Sequence, residues 1–221
     1  MKVRIFAVLV GMLSIVLAGC GASGVAVKQP APGDKGAVFR EIKADEKPAG
    51  ENAVLVIEAS IKTHQDGYYL LESSQSRHGK ESYPFQYSID GQTVVWDVAG
   101  VKDSQPAYDA QGKTSRNPEA RDGMKYILEK RITLKTGSHR ICFSLPEEAY
   151  STTVDIRVEE GRENRVEFKP VYRQKDFPVR IPTFLKGVER YEVFMNGYKM
   201  SLVREDRDGR TDGVPVVVPT A

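Results

Sequence analysis

Two strands and the turn that joins them can be read directly from Tyr83–Val98. In YPFQYSI the side chains of Tyr83, Phe85, Tyr87 and Ile89 recur at every second position, Asp90-Gly91 follows, and QTVVWDV returns with Val94, Trp96 and Val98 on one face. Period two is the period of a pleated strand, and Asp-Gly is the favoured pair for a type I′ hairpin turn. The same alternation recurs downstream. MKYILEKRITL places Tyr126, Leu128, Ile132 and Leu134 together, interrupted by Lys130. HRICFSL gives His139, Ile141, Phe143 and Leu145, TTVDIRV gives Val154, Ile156 and Val158, and RVEFKPVY gives Val166, Phe168 and Tyr172. Upstream, AVLVIEASI (Ala53–Ile61) is apolar at nearly every position, as in a strand buried on both faces, and YYLLES reads as a further strand. No stretch of the region carries a helical period. About eight short strands separated by turn residues predict an all-β fold, an antiparallel immunoglobulin-like β-sandwich.

The flanks are of a different kind. MKVR carries two positive charges and is followed by an apolar run from Ile5 to Leu17, too short to cross a bilayer comfortably, which describes a secretory signal. The run ends in Leu17, Ala18, Gly19 and Cys20, and this LAGC resembles the lipobox of bacterial lipoproteins. The resemblance implies cleavage between Gly19 and Cys20 and a diacylglycerol on the Cys20 sulfur, with a further acyl chain such as palmitate on the new amino group. More than one chain gives stable anchoring, because each buried CH₂ contributes about 0.8 kcal/mol. Gly21, where an Asp retains many lipoproteins at the inner membrane, favours the outer membrane.

The organisation expected is therefore a signal peptide over 1–19 and a disordered, flexible tether over 20–52, within which AVFREI forms a short docked element. A β-sandwich domain follows over 53–175. An extended segment and a C-terminal hairpin around Asn196-Gly197 occupy 176–203, and a loose tail runs over 204–221. Within the domain, Leu134–Tyr172 resembles the PEGA-type β-sandwich repeat, with a strand, a Gly turn, a G-x-H-x-I return strand and two strands around a second Gly-containing turn. Its own PEGA signature is absent, and PEEAY stands elsewhere. Proteins with such modules are commonly envelope or surface binding proteins.

Composition removes one class of partner. The chain has 32 Lys+Arg against 30 Asp+Glu, and Lys2 and Arg4 leave with the signal, so the mature chain carries 32 − 2 = 30 of each sign. With no basic block, nucleic acid is not an expected partner. Lipidation of Cys20 would leave Cys142 without a partner in its own chain, which predicts a buried, inert thiol or an intermolecular bridge.

Sites of known chemistry are sparse. REDRDGRTDG (204–213) has acids at two calcium-loop positions but Arg204 at the first and Pro215 at the closing one, so it reads as a solvated turn. His139 and Cys142 fall on opposite faces of a strand and cannot share a metal. His64, His78 and His139 lie in separate elements, and a three-His site is conceivable only if the fold gathers them. The chain contains no nucleophile elbow, zincin helix, P-loop or dinucleotide fingerprint. No catalytic residue, metal ligand or cofactor is assigned.

If the strands alternate up and down, the turns near Asp66, Asp90, Gly137 and Gly161 share one end. The longer connections, 74–82, 99–123 and 146–152, then share the other. That end would carry His78, Tyr108, Asp109, Arg116, Arg121 and Tyr150 as a binding surface for a glycan, peptide or envelope protein partner. The function expected is a non-catalytic binding or structural accessory held at the membrane by its lipid. The alternatives are a subunit of an envelope complex, docking along an open edge at Tyr191–Met195, and a hydrolase or metal-dependent enzyme marked by a convergent His/carboxylate cluster.

Overall fold

In the computed structural model, residues 36–70, 72–103, 108, 110–112, 119, 122–173 and 187–203 are described. They are nearly all β. Ten strands run in chain order as β1 (Phe39–Glu41), β2 (Asn52–Thr63), β3 (Ser82–Ile89), β4 (Gln92–Asp103) and β5 (Gly123–Lys135). Then come β6 (Gly137–Leu145), β7 (Tyr150–Val158), β8 (Glu163–Tyr172), β9 (Val188–Met195) and β10 (Tyr198–Lys199), with a 3₁₀ turn at Pro146–Glu148 between β6 and β7. No helix among the described residues is long and apolar enough to cross a membrane.

The strands form one curled sheet in the order β10-β9-β8-β2-β5-β4-β3-β6-β7, with β1 added beside β5. The expectation of a purely antiparallel sandwich is corrected on two counts. First, β2 and β8 pair in parallel, Val54 opposite Glu163 through Ala59 opposite Phe168, so the sheet is mixed. Second, the two layers are continuous through β4. Its first half, Gln92–Ala99, pairs with β3, and its last residues, Gly100–Asp103, pair with β5. Gly100 sits at the handover, where an added Cβ would lie 2.7 Å from the Tyr126 ring. The curl brings its outer strands together. Val203 donates its N–H to the Thr153 carbonyl at 2.9 Å, and the Tyr191 N–H donates to the Tyr150 hydroxyl at 2.8 Å.

Two short joints that read as hairpin turns are corners between layers. β5 and β6 are separated by Thr136 alone, yet β6 pairs with β3 and β7 rather than with β5. Likewise β7 and β8 part company at Glu159–Arg162. There the buried Asn164 side chain accepts from the Glu159 N–H and donates to the Glu159 carbonyl, holding the corner. By contrast Asp90-Gly91 and Asn196-Gly197 turn true hairpins, all four residues with positive φ (47, 88, 52 and 86°).

The inward faces named by the alternation fill the curl. Tyr83, Phe85, Tyr87, Ile89, Trp96, Tyr126, Ile141, Phe143, Ile156, Phe168 and Tyr191 are buried. Phe143 lies at its centre, with ring centroids 4.8 Å from Tyr87, 4.8 Å from Phe168 and 4.9 Å from Tyr191. The central strand β2 is buried on both sides, its outward Val54 and Val56 packing with Ile42. Lys130, which breaks the apolar pattern of β5, bonds Glu41 at 3.0 Å and lies 5.7 Å from the Trp96 ring centroid. β1 is thus a strap within the stretch expected as tether.

Three further expectations change. The described residues of YYLLES, 68–70 and 72–73, are in no strand; β2 ends at Thr63 and β3 begins at Ser82, so Asp66 lies with the loop of His78 rather than across from it, and Lys80 bonds Asp66 at 2.6 Å. The Tyr191–Met195 edge is used within the chain, by β10 and by the Tyr150 hydroxyl. Cys142 is half-buried on the outward side of β6, opposite Ser88 and Thr153.

Candidate metal centre

β2 ends at Thr63, and its next residue, His64, is 2% exposed although it stands in a connection. The chain then loops through Tyr68, Tyr69 and Glu72 and returns at His78-Gly79. The return is fixed by backbone: the Gly79 N–H donates to the Thr63 hydroxyl at 3.0 Å, and the Tyr126 hydroxyl donates to the Lys80 carbonyl at 2.8 Å. Gly79 has φ +70°, and a Cβ there would fall on the Asp66 backbone. Only glycine lets the two arms of the loop approach so closely.

This clamp sets two imidazoles edge to face, with centroids 5.1 Å apart. His64 Nε2 and His78 Nδ1 are 3.2 Å apart. Glu72 closes the triangle, its Oε1 3.1 Å from His64 Nε2 and 3.7 Å from His78 Nδ1. Ser76 donates its hydroxyl to the same oxygen at 2.6 Å. Each imidazole is held from behind. His64 Nδ1 lies 2.8 Å from the Gln65 carbonyl, and His78 Nε2 lies 2.7 Å from Glu148 Oε1.

Glu148 reaches this point from the 3₁₀ turn between β6 and β7. Its carboxylate also accepts from the Tyr83 hydroxyl at 3.3 Å and the Val188 N–H at 3.2 Å. Burial works to raise its pKa, but the hydrogen bond and charge of His78, with the Val188 and Tyr83 donors, hold it below the usual carboxylate range. For His78 burial works downward, and the bond to Glu148 with the charges of Glu148, Glu72 and Glu147 holds it above its ordinary value. Burial, then the charge of Glu148, pushes the Tyr83 phenol far up. A cleft lined by Glu72, Ser73, Gln75, Ser76, His78 and Glu147 opens on the solvent side. Beneath lies the buried Lys62 ammonium, 2.8 Å from Asp103 and 3.1 Å from the Glu119 carbonyl.

Of the residues expected at the binding end, His78 belongs to this cluster. Tyr150 packs lower down, its ring 5.3 Å from that of Tyr191. Tyr108 is 63% exposed. Asp109, Arg116 and Arg121 lie outside the described residues, as do Gly19 and Cys20. The three histidines do not gather. His139 is hydrogen-bonded to Asp90 at 2.6 Å and to the Lys135 carbonyl at 2.8 Å, beside the hairpin turn. His64 entered the sequence reading only as part of a conceivable three-His site, and Glu72 and Glu148 were not singled out, because their spacing follows no helix or strand period. Two histidines with a carboxylate between them in one Gly-terminated connection were the signal on offer. No match to the chain was found among protein-family models, curated proteins or solved structures.

Proposed function

We propose that the chain is a lipid-anchored lipoprotein of the bacterial envelope, at the outer membrane by preference, whose β domain is a non-catalytic binding module on an immunoglobulin-like scaffold. The observation that carries this reading is the LAGC sequence ending at Cys20, at the right distance behind a positive n-region and an apolar run. The binding face is the end that holds His78 and Glu148, where separate connections meet through charged and aromatic groups.

The test is metabolic labelling with palmitate in a Gram-negative host, with Cys20→Ala alongside and intact-mass measurement of the extracted protein. The expected result is a chain beginning at Cys20, carrying acyl chains and sedimenting with membranes, and a C20A variant that is neither labelled nor cut there. An unlabelled wild-type chain overturns the reading.

A metal-dependent enzyme on this scaffold is the second reading, and the convergence of His64, Glu72 and His78 favours it.

A further inference from the structure

We infer that His64 Nε2, Glu72 Oε1 and His78 Nδ1 form one face of a binding site for a divalent transition-metal ion of the zinc class. Among the described residues, this is the group of His, Cys, Asp and Glu whose ligand atoms all lie within 4.8 Å of one another.

The spacing fits such an ion. Zinc bonds of about 2.0–2.1 Å at tetrahedral angles place ligand atoms about 3.3 Å apart. The three edges of the triangle, 3.1, 3.2 and 3.7 Å, bracket that value. The electrostatics ask for something positive there. His64 Nε2 and Glu72 Oε1 cannot face each other at 3.1 Å with lone pairs alone, so a proton or a cation belongs between them.

The surroundings orient the donors toward the triangle. The Gln65 carbonyl and Glu148 hold the N–H groups at the far side of each ring, which leaves His64 Nε2 and His78 Nδ1 as the ligating nitrogens. A carboxylate or carbonyl behind each histidine is the usual support of a metal-binding imidazole. A set of two nitrogens and one oxygen suits zinc and its neighbours, whereas calcium and magnesium require oxygen throughout. Three protein ligands leave a fourth position, on the side of the cleft, for water or a bound group.

This site names the ligand class of the binding face proposed above, but it does not require the lipid anchor. Metal uptake and palmitate labelling fail independently.

The experiment is titration of the full-length, detergent-extracted chain, stripped with chelator, with zinc alone and then cobalt(II) alone. One equivalent of zinc is expected to bind, cobalt(II) is expected to show the intense visible absorption of a tetrahedral site, and calcium and magnesium are expected not to compete. His64→Ala, Glu72→Ala and His78→Ala are each expected to weaken binding at least 100-fold. Glu148→Gln, a positioning change, is expected to weaken it about 10- to 100-fold. His139→Ala is expected to leave it unchanged. Should the ligand variants fail to fold, imidazole NMR of the wild-type chain decides. With three histidines in the sequence, two are expected to shift at one equivalent of zinc and His139 to stay. Absence of stoichiometric uptake, or uptake that spares both imidazoles, overturns the inference and leaves a hydrogen-bonded cluster only.

Discussion

His78 and Glu148 stand 70 positions apart in the chain and meet at 2.7 Å, Nε2 to Oε1. The pair ties the β2–β3 connection to the β6–β7 turn, and through the Val188 N–H it also holds the start of β9. Glu148→Gln keeps the shape but replaces one of the two acceptor oxygens with an NH₂ group, set either against His78 and Tyr83, which meet Oε1, or against the Val188 N–H, which donates to Oε2. The expected loss is about 1–3 kcal/mol, the usual cost of stranding buried donors. Tyr83→Phe removes only the 3.3 Å bond and should cost less, under about 1 kcal/mol. Urea unfolding of both variants checks the order, and an E148Q midpoint equal to wild type would show that the carboxylate does not organise this end.

A second prediction separates backbone conformation from close packing. Gly79 and Gly161 share positive φ, +70° and +76°, but only Gly79 has a neighbouring backbone where a Cβ would go. Gly161→Ala should cost about 1 kcal/mol, the conformational term alone. Gly79→Ala must also push Gln65 and Asp66 away. It should cost at least about 2 kcal/mol more and lower zinc affinity without touching a ligand. Equal losses for the two variants would mean that the two arms of the loop are not clamped.

The buried phenols set the alkaline limit of the fold. Burial raises Tyr87, Tyr172 and Tyr191 well above the ordinary value of 10.0, and Tyr83 likewise. A group whose pKa is higher in the folded chain stabilises it fully below the unfolded pKa, and loses that contribution as pH rises beyond it. Each such phenol therefore removes about 1.4 kcal/mol per pH unit above 10, so the four together remove about 5–6 kcal/mol per unit. Tyrosinate absorbance and loss of near-UV dichroism should appear together in one steep transition above pH 10. Gradual ionisation of these tyrosines in a chain still folded would contradict their burial.

What could be read in the sequence was what is local. Tyr83–Val98 and Asn196-Gly197 declare their hairpins because period two and the left-handed turn residues lie within a few positions of each other. The inward face of each strand follows from the same alternation, whereas the exception at Lys130 answers to distant partners, Glu41 and Trp96. What escaped depends on distant pairing. Gly137 and Gly161 look like hairpin turns, but whether β5 pairs with β6, or β7 with β8, is decided by which strands already flank them. The parallel β2–β8 contact follows from those corners. The site escaped because His64, Glu72 and His78 lie in one connection that has no period to read, and because Glu148 arrives from another layer.

β1 offers the most direct test of where the folded unit begins. Phe39–Glu41 lies in the AVFREI stretch that reads as a short docked element within the tether; Phe39 is 7% exposed, and β1 pairs with the second half of β5, where β4 has already turned away. Its attachments are specific. Val38 donates its N–H to the Gln92 side chain at 2.6 Å, Ile42 donates its N–H to the Arg131 carbonyl at 3.0 Å, and the Trp96 indole N–H donates to Glu41. Phe39→Ala should therefore cost about 2–4 kcal/mol, near the lower end for a large side chain at the margin of a core. Trp96 is the one tryptophan of the chain and is 4% exposed, so its emission reports the strap directly. With β1 loosened, emission should move to longer wavelength before the main unfolding transition, whereas Glu41→Gln, which keeps an acceptor for the indole, should shift it much less. An F39A protein with wild-type emission and an unchanged urea midpoint would place the start of the fold at β2.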